Sequence, residues 1–372
     1  MKIGIITFHN SYNCGSMLES YAMQIAVHKL GCEAEIVNFS SKGQKELYAT
    51  RFKNDSIKNI IKNILTLPAI SKIERNNQKY EEFKKRNFSL TKEYLNGYEI
   101  SENGYEAVIA GSDQIWNITI KDYDDAYFLP WVKEAKKIAY APSFGAKKIS
   151  EYTDSEEKYC NYLKGFDCLS IRENNGQKWI KEMTGIDVPV LLDPTLLLEA
   201  KDYDKIEDNS LQEKNKYIFF YSPSFDREIC KFVKKIADKY NLKVVTWSTK
   251  SYYFKLIKSF GFVLPKYESP AVYLNLIKNA ELVLTTSYHG TIFSTIYRKK
   301  FITIKNGEMY GNDDRVITLL KQLNMEKRLI PYEFDDNFNY LGEVDYTDYE
   351  KNIDSLKKKS MDYLRASLRN IE

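Results

Sequence analysis

Histidine is nearly missing from this 372-residue chain: only His9, His28 and His289 carry an imidazole. A multi-histidine metal centre is therefore not expected, and the scattered acidic residues suggest no metal set either. Cysteine is sparse as well. Cys14, Cys32, Cys160, Cys168 and Cys230 are odd in number and contain no C-x-x-C pair, which argues against a disulfide framework or a zinc site and fits a reducing cytoplasm. No apolar run approaches the roughly 18 residues that span a bilayer. Any membrane contact is expected to be peripheral. The opening Met1-Lys2-Ile3-Gly4-Ile5-Ile6-Thr7-Phe8 turns polar at His9-Asn10, too early for a signal peptide, and reads as a buried first strand. Also lacking are G-x-G-x-x-G, G-x-x-x-x-G-K-[ST] and G-x-S-x-G, so dinucleotide, P-loop and serine-hydrolase readings lose their usual support.

The length predicts two domains of roughly 100–200 residues, and 43% hydrophobic content is enough for each to bury a core. Net charge is +4. The basic excess clusters between Lys42 and Lys92, including Lys84-Lys85-Arg86, and reads as a solvated helical face; the sharper alternative is a surface for anionic lipid headgroups or an acidic glycan. No nucleic-acid motif accompanies it, and no nucleic-acid partner is expected.

Along the chain, Lys2–Phe8 reads as a strand. A helix follows with Met17, Leu18, Tyr21, Ala22, Ile25 and Leu30 on one stripe, closed by Gly31; Glu33–Asn38 is a second strand. The segment from about 41 to 97 shows helical periodicity broken at Pro68, a helical excursion. Ala107–Ala110, Ile138–Ala141, Leu169–Ile171 and Val188–Leu192 read as short buried strands, with a helix near Glu156–Leu163. Residues 201–216 read as a linker. Beyond it, strands at Tyr217–Tyr221, Val244–Trp247, Leu282–Thr285 and Phe301–Ile304 alternate with helices at Arg227–Tyr240, Ala271–Lys278 and Thr291–Tyr297. The expected architecture is thus α/β, with two Rossmann-like doubly wound domains facing across a cleft, the first over 1–200 and the second over 217–345. A C-terminal helix over 346–372 is expected to pack back on the first lobe.

Ligands of open parallel sheets bind at the carboxyl ends of strands, so the polar segments there are the candidates. Asn13 and Gly15 lie in His9-Asn10-Ser11-Tyr12-Asn13-Cys14-Gly15-Ser16 at the first helix, where free N–H groups attract anions or sugar hydroxyls; an ordinary capped turn is the alternative. Gly111-Ser112-Asp113-Gln114-Ile115-Trp116-Asn117 presents Ser112 and Asp113 to hydroxyl-rich ligands, unless Asp113 is a helix N-cap. Ser143 follows a third strand in Ala141-Pro142-Ser143-Phe144-Gly145. Arg172 closes a fourth, where a guanidinium is costly unless it meets an anion. That anion is either a ligand or an internal partner, Glu173 or Asp193. Finally, Thr285-Thr286-Ser287-Tyr288-His289-Gly290-Thr291 sets a histidine among hydroxyls at a strand-to-helix junction, suited to holding or donating a proton near neutral pH. His9 and His28 read as structural.

Taken in order, these segments together with Asp193-Pro194-Thr195-Leu196-Leu197-Leu198 resemble the polysaccharide pyruvyl transferase family. The resemblance implies a fold similar to the two-lobed glycosyltransferase class. It also implies a reaction in which phosphoenolpyruvate gives its pyruvyl group to a sugar of a cell-surface or exopolysaccharide precursor as a ketal, releasing phosphate, with no metal or organic cofactor. The acceptor would be a sugar or a lipid-linked glycan, and the location cytoplasmic or peripheral at the inner face of the membrane. By the same resemblance His289 is the general acid and Arg172 binds the donor's carboxylate or phosphate. Arg315, in Asn312-Asp313-Asp314-Arg315-Val316, is a second donor contact, and Asn13, Gly15, Ser112, Asp113, Ser143, Ser287, Gly290 and Thr291 are the remaining substrate-binding candidates. Two places depart from the family pattern: Tyr288 where Phe is common, and Ser16-Met17-Leu18-Glu19 where Ala-Val-Leu-Gln is. Competing readings are a nucleotide-sugar-dependent glycosyltransferase, set apart by nucleotide binding, and a non-catalytic glycan-assembly subunit, in which His289 would be dispensable.

Overall fold

The computed structural model describes residues 1–210, 213, 215–305 and 314–369. Residues 211, 212 and 214 of the expected linker, Asn312 and Asp313 of the arginine motif, and the last three residues of the expected C-terminal helix lie outside the described residues.

The first lobe begins β1 (Lys2–Ile6), α1 (Cys14–Lys29), β2 (Glu33–Ile36). The helical excursion follows as α2 (Lys42–Tyr48), α3 (Ile57–Thr66) and α4 (Ile70–Asn87), the last two joined through a 3-10 turn at Leu67–Ala69 that holds Pro68. Then come β3 (Ala107–Ala110), β4 (Lys136–Ala139), α5 (Glu156–Lys164), α6 (Asn174–Thr184) and α7 (Ala200–Asp204). The four strands pair in parallel in the order β2-β1-β3-β4. Ile3, Ile5 and Ile6 are wholly buried, as expected for a central parallel strand covered on both faces.

The second lobe runs β5 (Tyr217–Tyr221), α8 (Arg227–Tyr240), β6 (Lys243–Thr246), α9 (Thr249–Phe254), α10 (Pro270–Asn279), β7 (Leu282–Thr285), α11 (Tyr288–Ile296), β8 (Phe301–Ile304), α12 (Asp314–Gln322), β9 (Leu329–Ile330) and α13 (Thr347–Arg369). Its strands are also parallel, in the order β6-β5-β7-β8-β9. Both sheets therefore reverse strand order beside their first strand, between β1 and β3 and between β5 and β7, and such switch points open a crevice at the strand ends.

One apolar cluster runs from Ile3 and Ile5 through α1 and Leu196–Leu198 to Phe219 and Val283, so the two sheets share a core. This explains a departure in α1. The sequence suggests one buried stripe, yet nearly every face is buried, because the helix lies between its own sheet, the Pro194–Leu197 turn and α10. On α13, the Tyr363 hydroxyl donates to the Ala139 carbonyl and Ser360 Oγ accepts from Leu192 N.

Leu169–Ile171 and Val188–Leu192 are not regular strands. They join the sheet edge only by the single parallel bridges Ile138–Cys168 and Ile171–Val190. Pro189 brings no N–H, and Ser170 Oγ takes over ladder bonding, accepting from Ala141 N and donating to the Ala139 carbonyl. The stretch expected as linker begins with the short helix α7, closed by a reciprocal Glu199–Asp202 capping box. Among the described residues no helix is long and apolar enough to cross a membrane.

Candidate functional site

The two switch points face each other, and a buried carboxylate joins them. Asp193 caps the Pro194–Leu197 turn, its Oδ1 accepting from Thr195 N and Oγ1 at 3.0 and 2.6 Å. Its Oδ2 accepts from Arg172 NH1 at 2.7 Å and lies 3.4 Å from His289 Nε2. Arg172, from the first lobe, is 2% exposed and His289, from the second, 8%. The Arg172 guanidinium stacks 4.3 Å from the Tyr288 ring centroid, a cation–π contact strengthened by burial. Tyr288 thus supplies the flat face that the family's Phe would, with a hydroxyl added. Burial alone would raise the Asp193 pKa, but the charges of His289 and Arg172 bring it well below the usual carboxylate range. Burial likewise opposes charge on Arg172, while Tyr288, Asp193 and Asp113 raise its pKa further, so the cation persists.

His289 stands in the first turn of α11, where Ser287 Oγ accepts from Gly290 N. Opposite, Asn13 Oδ1 caps α1 by accepting from Gly15 N at 2.9 Å. The lobes meet so tightly here that a Cβ on Gly15 would lie 2.3 Å from His289 Nδ1. Gly15 is required by this close approach, and Gly290 by Thr285 Oγ1, 2.5 Å from where its Cβ would be.

The first-lobe loops complete the network. Asp113 is not a helix N-cap: it sits at φ +70°, accepts from Ser16 Oγ and lies 3.9 Å from Arg172 NH2. Ser112 Oγ donates to the Ala141 carbonyl at 2.7 Å and lies 3.3 Å from Asp193 Oδ2. Ser143 Oγ and Phe144 N donate to Glu173 Oε1 at 2.9 and 2.8 Å. Burial pushes the Glu173 carboxyl up to about 7 despite the opposing charges of Arg172 and Arg315. Arg315 is buried in the first turn of α12.

Glu19 explains the second departure. It is wholly buried, with Oε1 accepting from Ser112 N and Oε2 beside Thr7 Oγ1 at 2.7 Å. Burial, then Asp193 and Asp113, raise its pKa well above the carboxylate range. Thr7 Oγ1 donates to Glu19 Oε2 and lies 3.2 Å from the Ser112 carbonyl; a glutamine here would accept from Ser112 N with its carbonyl in the same way.

Among the described residues three polar atoms of this cluster are buried with no hydrogen-bond partner: Arg172 Nε, Glu173 Oε2 and His289 Nε2, whose 3.4 Å approach to Asp193 is an ion-pair contact only. Such groups are costly to bury and call for a role. Asn13, Gly15, Ser112, Asp113, Arg172, Ser287 and His289 converge, with Ser143 linked through Glu173. Thr291 does not join them. It is wholly buried, and its Oγ1 bonds the Ser287 carbonyl and Thr303 Oγ1 within the second lobe. His9 is wholly buried against Asn38 Oδ1, with its pKa lowered to about 4 by burial, and His28 is exposed.

A cavity of about 480 Å³ opens from Asn13 and Cys14 between the helical excursion and the ends of β5 and β6, a size that suits a small ligand. Tyr12, Tyr48, Phe52, Tyr80 and Trp247 line it beside Asn76 and Glu268. Apart from Tyr12, which falls within the first motif, these residues escape sequence reasoning because they come from the excursion and the second lobe. Among the described residues no cluster of three or more His, Cys, Asp or Glu is placed to hold a metal ion.

Two parallel-sheet lobes closing on a buried Arg–Asp–His cluster define a two-domain Rossmann-like α/β protein. The family described as polysaccharide pyruvyl transferase matches residues 13–308, and the chain belongs to it. Among curated proteins no sequence match is found. Similar solved structures include UDP-GlcNAc 2-epimerase from Neisseria meningitidis bound to UDP-GlcNAc, at 11% identity and a TM-score of 0.46 over 98% of this chain and 99% of that one. E. coli heptosyltransferase WaaC with ADP-2-deoxy-2-fluoro heptose is similar at 11% identity and a TM-score of 0.38, over 95% and 99%.

Proposed function

We propose that the protein transfers the pyruvyl group of phosphoenolpyruvate to two hydroxyls of one sugar in a glycan or lipid-linked glycan acceptor. The observation that carries this reading is the set of buried, unpartnered polar atoms on Arg172, Glu173 and His289, where both lobes present a helix N-terminus suited to an anion. Phosphoenolpyruvate brings a carboxylate and a phosphate to such a site.

In the proposed reaction, His289 donates a proton to the donor's methylene carbon, which becomes the methyl group. A sugar hydroxyl bonds to the adjacent carbon, the C–O bond to phosphate breaks, and the second hydroxyl closes the ketal. The hydroxyl protons return to His289 and to phosphate, so atoms balance without a redox or metal partner. Asp193, kept ionised, holds the imidazole with Nδ1 toward the Gly15 turn. Arg172 and Arg315 offer charge to the departing phosphate. The aromatic cavity beside Asn13 is where the acceptor ring would lie, its apolar faces against Tyr12 and Trp247.

The test is incubation with phosphoenolpyruvate and a panel of pyranosides in deuterated water. A pyruvyl ketal bearing one deuterium in its methyl group, with equimolar phosphate, is expected, and His289→Ala should slow it by about 10²–10⁴-fold. A His289→Ala enzyme of near-normal rate would remove that residue from the chemistry. Transfer of a sugar from a nucleotide sugar would replace the reading altogether.

A further inference from the structure

Helix α3 is amphipathic in the reverse sense. Ile57, Ile60, Ile61 and Ile64, with Leu67 just beyond, recur at the spacing of one helical face. In an ordinary surface helix that face meets the core, yet these five side chains are between 44% and 78% exposed. The polar residues turn inward instead. Asn63 pairs with the backbone N–H and carbonyl of Phe52 and with Asn54 Oδ1, Thr66 is buried, and Lys62 Nζ lies over the rings of Phe52 and Phe254. Five neighbouring aliphatic side chains held toward solvent on one helix are not the scattered exposure normal for a monomer.

The surrounding charge indicates what covers them. From Arg51 to Lys72 the sequence carries Arg51, Lys53, Lys58, Lys62 and Lys72 against the single acid Asp55, and Arg51, Lys53 and Lys58 are exposed. A helix of ten residues is roughly 15 Å long, so this face is small beside the about 800 Å² per partner of a standard protein interface. An aliphatic stripe flanked by basic residues is the composition that lies in a bilayer interface and selects anionic headgroups.

We propose that α3 docks the protein on an anionic lipid surface, with the Ile57–Leu67 face in the headgroup region and Arg51, Lys53 and Lys58 on lipid phosphates. Phe52, hydrogen-bonded to Asn63 on the inner side of α3, and Lys62 of that same side also line the 480 Å³ cavity. Docking there sets the cavity wall at the surface from which a lipid-linked glycan projects. That last step rests on the proposed acceptor; the docking itself does not.

The test is co-sedimentation of the full chain with phosphatidylethanolamine–phosphatidylglycerol vesicles and with phosphatidylcholine vesicles, beside the Ile61→Asp/Ile64→Asp variant. Binding to the anionic vesicles alone, weakened by salt and lowered about tenfold or more in the variant, is expected, with melting temperature and turnover on a soluble acceptor unchanged. Wild-type protein that leaves both vesicles in the supernatant, or a variant that binds as well, overturns the proposal. So does a dimer in analytical ultracentrifugation that the same substitutions dissociate, which would make a second copy the occupant. Vesicle binding without any response to phosphoenolpyruvate would leave the docking standing while pyruvyl transfer fell.

Discussion

Glu173 and Asp193, both wholly buried beside Arg172, titrate in opposite directions. Asp193 lies below the ordinary carboxylate range, so the stability it contributes is present at neutral pH and lost on acidification. Glu173 is raised from 4.5 to about 7, so the folded state binds the extra proton between those values. Its contribution is complete below the unfolded pKa and falls as pH rises through 7, by on the order of 3 kcal/mol at most. Asp122, also raised to about 7 by burial, acts in the same sense. Melting temperature followed from pH 5 to pH 8 should therefore decline, and Glu173→Gln should flatten that decline and melt higher than wild type at pH 8. An unchanged slope would mean that Glu173 ionises freely in the folded protein.

At the scale of elements, the approach of α1 to α11 depends on one missing side chain. A methyl group on Gly15 would collide with His289 Nδ1, Cγ and Cβ, and neither partner is free to yield: Gly15 is fixed by the Asn13 cap and His289 by the first turn of α11. Gly15→Ala is expected to keep the fold and lower kcat by tenfold or more by turning the imidazole away, a cost of about 1.4 kcal/mol or more in the barrier. A crystal structure of the variant would reveal the displaced ring, and an unshifted His289 with full activity would contradict the argument. The same junctions show how far sequence carries at this scale. The strands and the candidate loops at their ends are legible because apolar runs stop at polar, glycine-bearing turns. Leu169–Ile171 and Val188–Leu192 are misread as regular strands because the run does not reveal that Pro189 and Ser170 reroute the hydrogen bonds. The outward face of α3 is hidden for a related reason: periodicity fixes which residues share a face, but not whether that face meets the core.

At the scale of the molecule, each lobe is foreshadowed by alternation of strand and helix, and a cleft between them with Arg172 and His289 is expected from the sequence, whereas the fused core and the single Asp193 oxygen that both side chains meet are not. Arg172, Asp193 and His289 are far apart in the chain, and only the approach of two sheets brings the guanidinium and the imidazole to the same carboxylate oxygen. The sequence leaves open whether the anion of Arg172 is Asp193 or a ligand. In the fold Asp193 takes one terminal nitrogen, while Nε keeps no hydrogen-bond partner among the described residues. Thr291 illustrates the converse, a polar residue of a telling motif that serves the packing of its own lobe. The aromatic cavity lay outside the motifs because helices from 42 to 87 and the ends of β5 and β6 meet only in three dimensions.

The most direct measurement is a thermal-shift comparison of phosphoenolpyruvate with UDP-GlcNAc on the wild-type chain and on Arg172→Lys. At about 100 times its Kd a ligand stabilises by about 2.7 kcal/mol, which at about 2–4 °C per kcal/mol for domains of this size raises Tm by roughly 5–11 °C. A rise with phosphoenolpyruvate alone is expected, and it should shrink in Arg172→Lys, because an ammonium cannot reproduce the guanidinium's fork. A rise with UDP-GlcNAc and none with phosphoenolpyruvate would contradict that expectation.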